Sequence, residues 1–348
     1  MKILAIDTSC DETAVAITEG RRIISNAIYS QIVIHKKWGG VVPNLAKRAH
    51  EEHIDLVIEE AVSKCKKRTS SFSLKDIDAF AVTYGPGLGM ALGVGINKAR
   101  ELSFKYQKPF VGVNHMAGHI YSSFVQNSAG NPKREISFPY LALLISGGHT
   151  ELVIFKDHDE FEVIGETLDD AAGEALDKAA KMMGLGYPGG AVIEKLAKKG
   201  RVDFHTFPRP MKRSGDLNFS FSGLKTSLFY YYRELPEKEK TNQLYDLAAS
   251  YQEAVFDTVI FKLDKAMYKT GITSLVVGGG VGVNEYLRGK IRALVKKHDG
   301  TVYFPARKYL YGDNAAMIGV AAYFKAKKNL YIKNPQELER EPRLRLSE

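Results

Sequence analysis

The chain has 348 residues, a formal net charge of +9 and 26% charged residues, long enough for two domains or one large α/β unit with a real core. No apolar run reaches the roughly 18 residues of a membrane helix, and the opening MKILAIDTSCDET turns acidic at once, without a signal- or transit-peptide pattern. The only cysteines, Cys10 and Cys65, exclude a disulfide framework or a cysteine-rich zinc site and suit a reducing cytosol, so a cytoplasmic location without membrane attachment is expected. The positive balance is compatible with a polyanionic partner.

In chain order, KILAID (2–7), AVAIT (14–18) and IISNAIYS (23–30) read as three strands, the last following the charged turn Glu19–Arg22. PNLAKRAHEEHIDLVIEEAVSKC (43–65) opens on a proline and spaces Leu56, Ile58, Ala61 and Val62 as a helix. DAFAVTY (78–84) is a strand, MALGVGINKARELSFKY (90–106) a helix and PFVGVN (109–114) a strand. The order then recurs with strands YLALLIS (140–146), TELVIF (150–155) and FEVIGE (161–166) and a helix over 169–184. A helix over 242–269, strand SLVVGG (274–279), a helix over 284–297, strand TVYF (301–304) and a helix over 313–327 follow.

This internal repeat predicts an α/β fold of two duplicated lobes. Their expected limits are 1–125 and 126–330, with a helical insertion around 185–270 in the second and a tail over 331–348. Three opening strands per unit are the plan of the actin, sugar-kinase and Hsp70 ATPase superfamily, whose first hairpins face a cleft for nucleotide phosphates. Fold alone does not assign an activity.

NHMAGHI (114–120) sets His115 and His119 one helical turn apart, on the same face. The zinc-peptidase pattern H-E-x-x-H has its general base directly after the first histidine. Met116 stands there, which leaves a ligand pair without a hydrolytic base. Asp313 in YGDNAAMIG reads either as a helix N-cap or as a third ligand in a His₂–carboxylate site.

Other loops carry polar chemistry. DTSCDET (7–13) presents Ser9, Asp11, Glu12 and Thr13 after a buried strand; it reads as a ligand loop or as a turn capped by its own side chains. LLISGGHTELV (143–153) occupies the equivalent place in the repeat, and Gly147 and Gly148 allow backbone N–H groups to face an anion. In GETLDDAAGEALDKAAKMMGLGYPGG (165–190), Leu168, Ala172, Leu176, Ala179 and Met183 trace one helix face and Asp170, Glu174, Asp177 and Lys181 another. Asp177 could bond ribose or substrate hydroxyls. VVGGGVGVNEYLRGKI (276–291) is a strand, glycine turn and helix in which Gly278–Gly280 suit a base or ribose lying close to the backbone, with Asn284 at the helix start. It lacks the dinucleotide fingerprint, and no P-loop occurs. GPGLGMALGVG (85–95) reads as a turn with close helix packing. Lys64–Lys66–Lys67–Arg68 and Arg209–Lys212–Arg213 are candidate phosphate-binding clusters.

Together IDTSCDET, GGVVPNLAKRAH, GPGLGMALGVG, NHMAGHI, LLISGGHTEL, GETLDDAAGEALDKAAKMMGLGYPGG, FPRP, NFSFSGLKTS, GGGVGVNEYLR and DNAAMIG closely resemble the universal tRNA threonylcarbamoyladenosine transferase family, in its bacterial and organellar form. The resemblance implies the two-lobed actin-like fold and an acyltransferase. Such an enzyme moves a threonylcarbamoyl group from threonylcarbamoyl-adenylate to N6 of the adenosine at tRNA position 37, 3′ to the anticodon, in tRNAs reading codons that begin with A. It implies one divalent metal per subunit, iron(II) before zinc or magnesium, held by His115, His119 and Asp313. Implied substrate contacts are Leu144, Ile145, Ser146, Gly147, Gly148, Asp177, Gly190, Asn284 and, less securely aligned, Glu194. Archaeal relatives place a metal-binding tyrosine where Leu144 stands, so two histidines and one aspartate remain here. An activated acyl donor needs no nucleophilic side chain; Asp11 or Glu12 are the candidates for accepting the amine proton. Implied partners are tRNA, a smaller paralogue of the same fold and a P-loop ATPase, with a homodimer as the organellar alternative. The competing readings are a small-molecule kinase of the same superfamily and a nucleotide-binding scaffold paralogue.

Overall fold

The computed structural model describes residues 1–68 and 71–346. Two units form by internal packing: one comprises Met1–Ile136, Asp157–Phe161 and Pro305–Glu348, the other Ser137–Lys156 and Glu162–Phe304.

In the first unit, β1 (Lys2–Asp7), β2 (Glu12–Glu19) and β3 (Arg22–Ser30) form an antiparallel meander. β4 (Ala79–Gly85) and β5 (Phe110–Asn114) extend it in parallel, giving the order β3-β2-β1-β4-β5. β1 is a continuous apolar run because both faces are covered. On one face Leu4, Ile6, Val15, Ile17, Phe80 and Val82 join Val57, Ile58 and Ala61 of α2 (Pro43–Lys66) and Leu92 and Ile96 of α3 (Gly89–Tyr106). The last helix of the chain packs against β1 and β2. A short helix, Ile32–Lys36, precedes α2 and is α1; the helix His115–Tyr121, directly after β5, is α4.

The second unit repeats the topology. β6 (Tyr140–Ile145), β7 (Thr150–Asp157) and β8 (Glu160–Glu166) open it, and β9 (Ser274–Gly278) and β10 (Thr301–Tyr303) complete the order β8-β7-β6-β9-β10. β6 is antiparallel to β7 and parallel to β9, as β1 is to β2 and β4. Its helices are α5 (Ala172–Met182), α6 (Gly189–Ala197), α7 (Ser222–Glu234), α8 (Glu237–Asn242), α9 (Leu244–Thr270) and α10 (Glu285–Lys297); α11 (Ala315–Lys327) belongs to the first unit.

Three expectations change. The first unit runs on to residue 136 rather than 125, and residues 305–330 pack with it, not with the second. For the 305–330 segment the reason is burial: α11 is apolar around most of its circumference, with Ala315–Ala322 buried, and Gly319 lets it lie against Thr18 of β2, where a Cβ would come within 2.7 Å of the hydroxyl. Leu168 precedes α5 and is 61% exposed. Leu56 points outward at 59% exposure, because the buried stripe of α2 runs through Ala46, Ala49, His50, Ile54, Val57, Ile58, Ala61 and Cys65.

The glycine turn after β9 illustrates a close backbone approach. Gly279 has φ +93°, and a Cβ there would collide with the carbonyl of Ile145. Gly279→Ala combines a disfavoured dihedral with a clash against backbone and is expected to cost about 2–4 kcal/mol. The check is a shift of the urea midpoint to lower concentration; an unchanged midpoint would show that the turn relaxes freely.

Candidate metal centre and substrate loops

His115 and His119 come together because α4 starts at the end of β5. Asn114 caps the helix, its Oδ1 accepting from the N–H groups of Met116 (2.8 Å) and Ala117 (3.2 Å). Its amide donates in turn to the carbonyl of Arg345 (3.2 Å), so the C-terminal segment braces the helix start. Asp313 arrives from the turn before α11. The N-cap of α11 is Asn314, whose side chain accepts from Met317 N; Asp313 is therefore not the cap and its carboxylate is free to face the histidines. Asp313 Oδ1 lies 3.4 Å from His115 Nε2 and 3.2 Å from His119 Nε2. One ligand atom from each residue falls within 4.8 Å of the others.

Behind the triad, Asp7 Oδ2 lies 3.4 Å from His115 Nδ1, in ion-pair range but outside hydrogen-bond alignment, since both atoms are buried without a hydrogen-bond partner. Asp7 Oδ1 accepts from Ser9 N (3.1 Å). Burial lowers the affinity of His115 for a proton, but the charges of Asp7 and Asp313 outweigh it and raise its pKa to about 10. For Asp313, burial is outweighed by His115 and His119, which hold the carboxylate well below its ordinary range. Two buried imidazole nitrogens and a partly buried carboxylate oxygen, close to one another, form a donor set that fits a divalent transition metal with open positions; binding would displace the His115 proton.

The β1–β2 turn is held on all sides. The Thr8 hydroxyl donates to Ala91 O (2.9 Å) and accepts from Gly95 N (3.2 Å), and Leu88 N donates to Ser9 O (2.8 Å). A Cβ on Gly87 or Gly95 would strike Ser9 O or the Thr8 hydroxyl. The glycine-rich 85–95 segment thus serves backbone packing. From α2, His50 Nε2 donates to Cys10 O (3.0 Å), while Nδ1 accepts from the Thr13 hydroxyl (2.8 Å). Asp11 is 8% exposed. The Glu12 carboxyl is pushed up to about 9, by burial first and then by Asp313 and Asp11.

In the second unit Leu144 and Ile145 are fully buried in β6. Ser146 accepts from His149 N (3.1 Å) and is 9% exposed, whereas Gly147 and Gly148 are exposed with open space around them. The start of α5 abuts this turn: Ala172 N donates to the Thr150 hydroxyl (2.9 Å), and a Cβ on Gly173 would collide with Ser146 O. Asp177 Oδ1 accepts from Gly189 N (2.8 Å) and Gly190 N (3.0 Å), anchoring the first turn of α6. Glu194 accepts from Glu285 N (2.8 Å). Asn284 is 4% exposed, caps α10 through Leu287 N (3.0 Å) and donates to Gln252 (2.9 Å). Gly279 approaches the backbone of Ile145, and Gly280 beside it has open space around it. Reasoning on sequence missed Asn114, His50, Gly173 and the bracing C-terminal segment. Only Asn114, an Asn directly before a helix, carried a local signal.

A family model described as tRNA N6-adenosine threonylcarbamoyltransferase matches residues 22–320. The protein of that name from Bacillus subtilis (strain 168) is 47% identical over 340 residues, covering 97% of this chain and 94% of its own. That from Kosmotoga olearia is 44% identical over 331 residues, covering 95% of each chain. Among solved structures, HypF of T. kodakarensis aligns with a TM-score of 0.62 at 12% identity, covering 94% of this chain and 48% of its own. That likeness concerns the fold, a duplicated α/β architecture. Alignment at this identity over nearly the whole length decides the relationship: the chain belongs to the tRNA N6-adenosine threonylcarbamoyltransferase family.

Proposed function

We propose that the chain is an acyltransferase that moves the threonylcarbamoyl group of threonylcarbamoyl-adenylate to N6 of the adenosine at position 37 in tRNAs reading codons that begin with A. Family membership along the whole chain carries this reading, and the convergence of His115, His119 and Asp313 supports it. The new bond joins N6 to the carbonyl carbon of the donor, the bond from that carbon to the phosphate oxygen breaks, and AMP leaves while the amine gives up a proton. A divalent cation held by His115, His119 and Asp313, iron(II) in preference to zinc or magnesium, would supply charge neutralisation for the donor's phosphate or carbonyl oxygen. Asp7 orients His115 from behind. Exposed backbone N–H groups at Gly147–Gly148 suit developing negative charge. Leu144, Ile145, Asp177, Gly190, Glu194 and Asn284 shape the substrate loops through the backbone positions they hold. Asp11, in the turn after β1, or Glu12, at the start of β2, is the proposed acceptor for the amine proton. The exocyclic amine is a weak nucleophile, so positioning supplies much of the rate.

The proposed setting is cytoplasmic, with a smaller paralogue of the same fold and a P-loop ATPase as partners. Val33, Trp38 and Leu56, on or beside α1 and α2, are 81%, 60% and 59% exposed, apolar side chains available to the paralogue. A homodimer through the same residues is the alternative.

The reading is tested by incubating the protein, its paralogue and the ATPase with threonylcarbamoyl-adenylate and unmodified tRNA, followed by mass spectrometry of the nucleosides. Appearance of threonylcarbamoyladenosine is expected, and its absence under all metal conditions would overturn the reading. His119→Ala and Asp313→Asn should each lose bound metal and activity while keeping the far-UV circular dichroism of the parent. Asp7→Asn should weaken metal affinity by about 10–100-fold, read by competition with a chelating dye; unchanged affinity would remove Asp7 from the site. Leu56→Glu should weaken association with the paralogue by at least about tenfold, measured by calorimetry, and leave metal content unchanged.

A further inference from the structure

The chain's cations divide into those that hold the fold together and those that do not. In the second unit Arg209 pairs with Asp257 (2.8 Å) and Lys290 with Glu253 (2.5 Å) and Asp257 (2.8 Å). Lys262, fully buried, reaches the Ser214 hydroxyl (2.7 Å) and Asp216 (3.2 Å). Further along α9, Lys265 donates to the carbonyls of Ser214 (2.7 Å) and Gly215 (2.9 Å), and Lys269 to Gly215 (3.0 Å). Three lysines on one helix thus clasp the 214–216 turn. Immediately before it stand Lys212 and Arg213, exposed and without an ion-pair partner among the described residues. Lys212 Nζ lies over the Phe261 ring at 5.6 Å.

The loop that presents them is tied down by contacts of its own backbone. Met211 holds φ +54°, a left-handed conformation that a non-glycine residue keeps only when its surroundings enforce it. Its carbonyl accepts from the Ser214 hydroxyl (2.9 Å). The loop borders an open pocket of about 820 Å³, to which His205, Arg209, Lys212 and Arg213 contribute. Of the carboxylates lining the pocket, Glu253 is neutralised by Lys290, and Asp203 sits in the field of Arg201. His205 connects the pocket to α7, its ring 4.2 Å from that of Tyr231. On α7, Phe229 and Tyr230 are 45% and 52% exposed, and the Arg233 guanidinium lies 5.5 Å and 5.2 Å from their ring centres.

From this arrangement, and resting on the tRNA-modifying reading above, we infer that the 205–214 loop and α7 form an RNA-docking surface. Lys212 and Arg213 take backbone phosphates, and Phe229, Tyr230 and Arg233 take unstacked bases. Exposed cations on a loop and exposed aromatic rings on the helix it touches through His205 and Tyr231 suit a single-stranded RNA segment, because phosphates need charge and unpaired bases need flat apolar faces. Arg209, committed to Asp257, shapes the loop.

The two contact types separate experimentally. With the full chain and unmodified tRNA transcript, affinity is measured as salt is raised. Lys212→Glu/Arg213→Glu should weaken binding at least about tenfold and reduce the slope of log affinity against log salt by about 1.5–2, the share of two phosphate contacts. Phe229→Ala/Tyr230→Ala should weaken binding about fivefold or more with the slope unchanged, because stacking releases no counterions. Threonylcarbamoyl-adenylate affinity and circular dichroism should match the parent in both. An unchanged slope and affinity in the charge-reversed variant would overturn the inference while leaving the transferase reading intact. Loss of paralogue binding without any change in tRNA binding would mark the surface as a protein interface and also overturn it. Failure of the parent itself to modify tRNA would instead count against the transferase reading.

Discussion

Asp7, His115 and His119 are buried and Asp313 is partly buried, with each carboxylate within 3.4 Å of an imidazole nitrogen, and the first unit keeps those charges balanced. An unpaired buried charge costs several kcal/mol, so each carboxylate is tolerable only while a cation or a proton stands beside it. His115 supplies that charge when it holds its proton, and a bound divalent cation would take over the role when the proton leaves. The rest of the unit follows from the need to bring four residues from three separate stretches of chain to one point. α4 begins directly after β5, the β1–β2 turn is tied to α2, to α3 and to the segment leading into it, and α11 lies against β2 at Gly319.

The two units share a strand order and differ in what their first turns offer. After β1 the turn is acidic, buried and cross-tied to α2 and α3; after β6 it is Ser146–Gly147–Gly148, open at the glycines. One topology therefore yields a cation-attracting turn in one unit and an anion-suited backbone in the other. The strand pairing is common to both, but the turns differ in length as well as in side chains: the last pair is Asp7 with Ala14 in one and Ile145 with Thr150 in the other.

Glycine at these places serves the protein's own backbone. Gly87 and Gly95 let the segment before and within α3 press against Thr8 and Ser9, Gly173 lets α5 reach Ser146, and Gly279 makes room for Ile145. The C-terminal segment uses the same device: a Cβ on Gly85 would strike Glu341, and Leu344 and Leu346 are buried. Through Asn114 that segment supports the helix carrying both histidines. The precision of the centre thus derives from packing distant from it in sequence.

Apolar runs and helical spacing set nearly every strand and the long helices, because burial on two faces or one stripe is a local demand on composition. The repeat of strand-strand-strand-helix was equally legible, and so was the histidine pair, since an i, i+4 relation is guaranteed within one helix. Asp313 was ambiguous in sequence between cap and ligand; only the placement of Asn314 as the cap released its carboxylate. Leu56 and Leu168 obeyed the apolar pattern yet face outward, because which side of a helix is covered depends on its neighbours. Where the chain returns to the first unit at residue 305, which lysines are committed to the 214–216 turn, and which carbonyl each glycine must avoid were decided by tertiary structure. These are contacts between residues tens to hundreds of positions apart, and local composition carries no record of them.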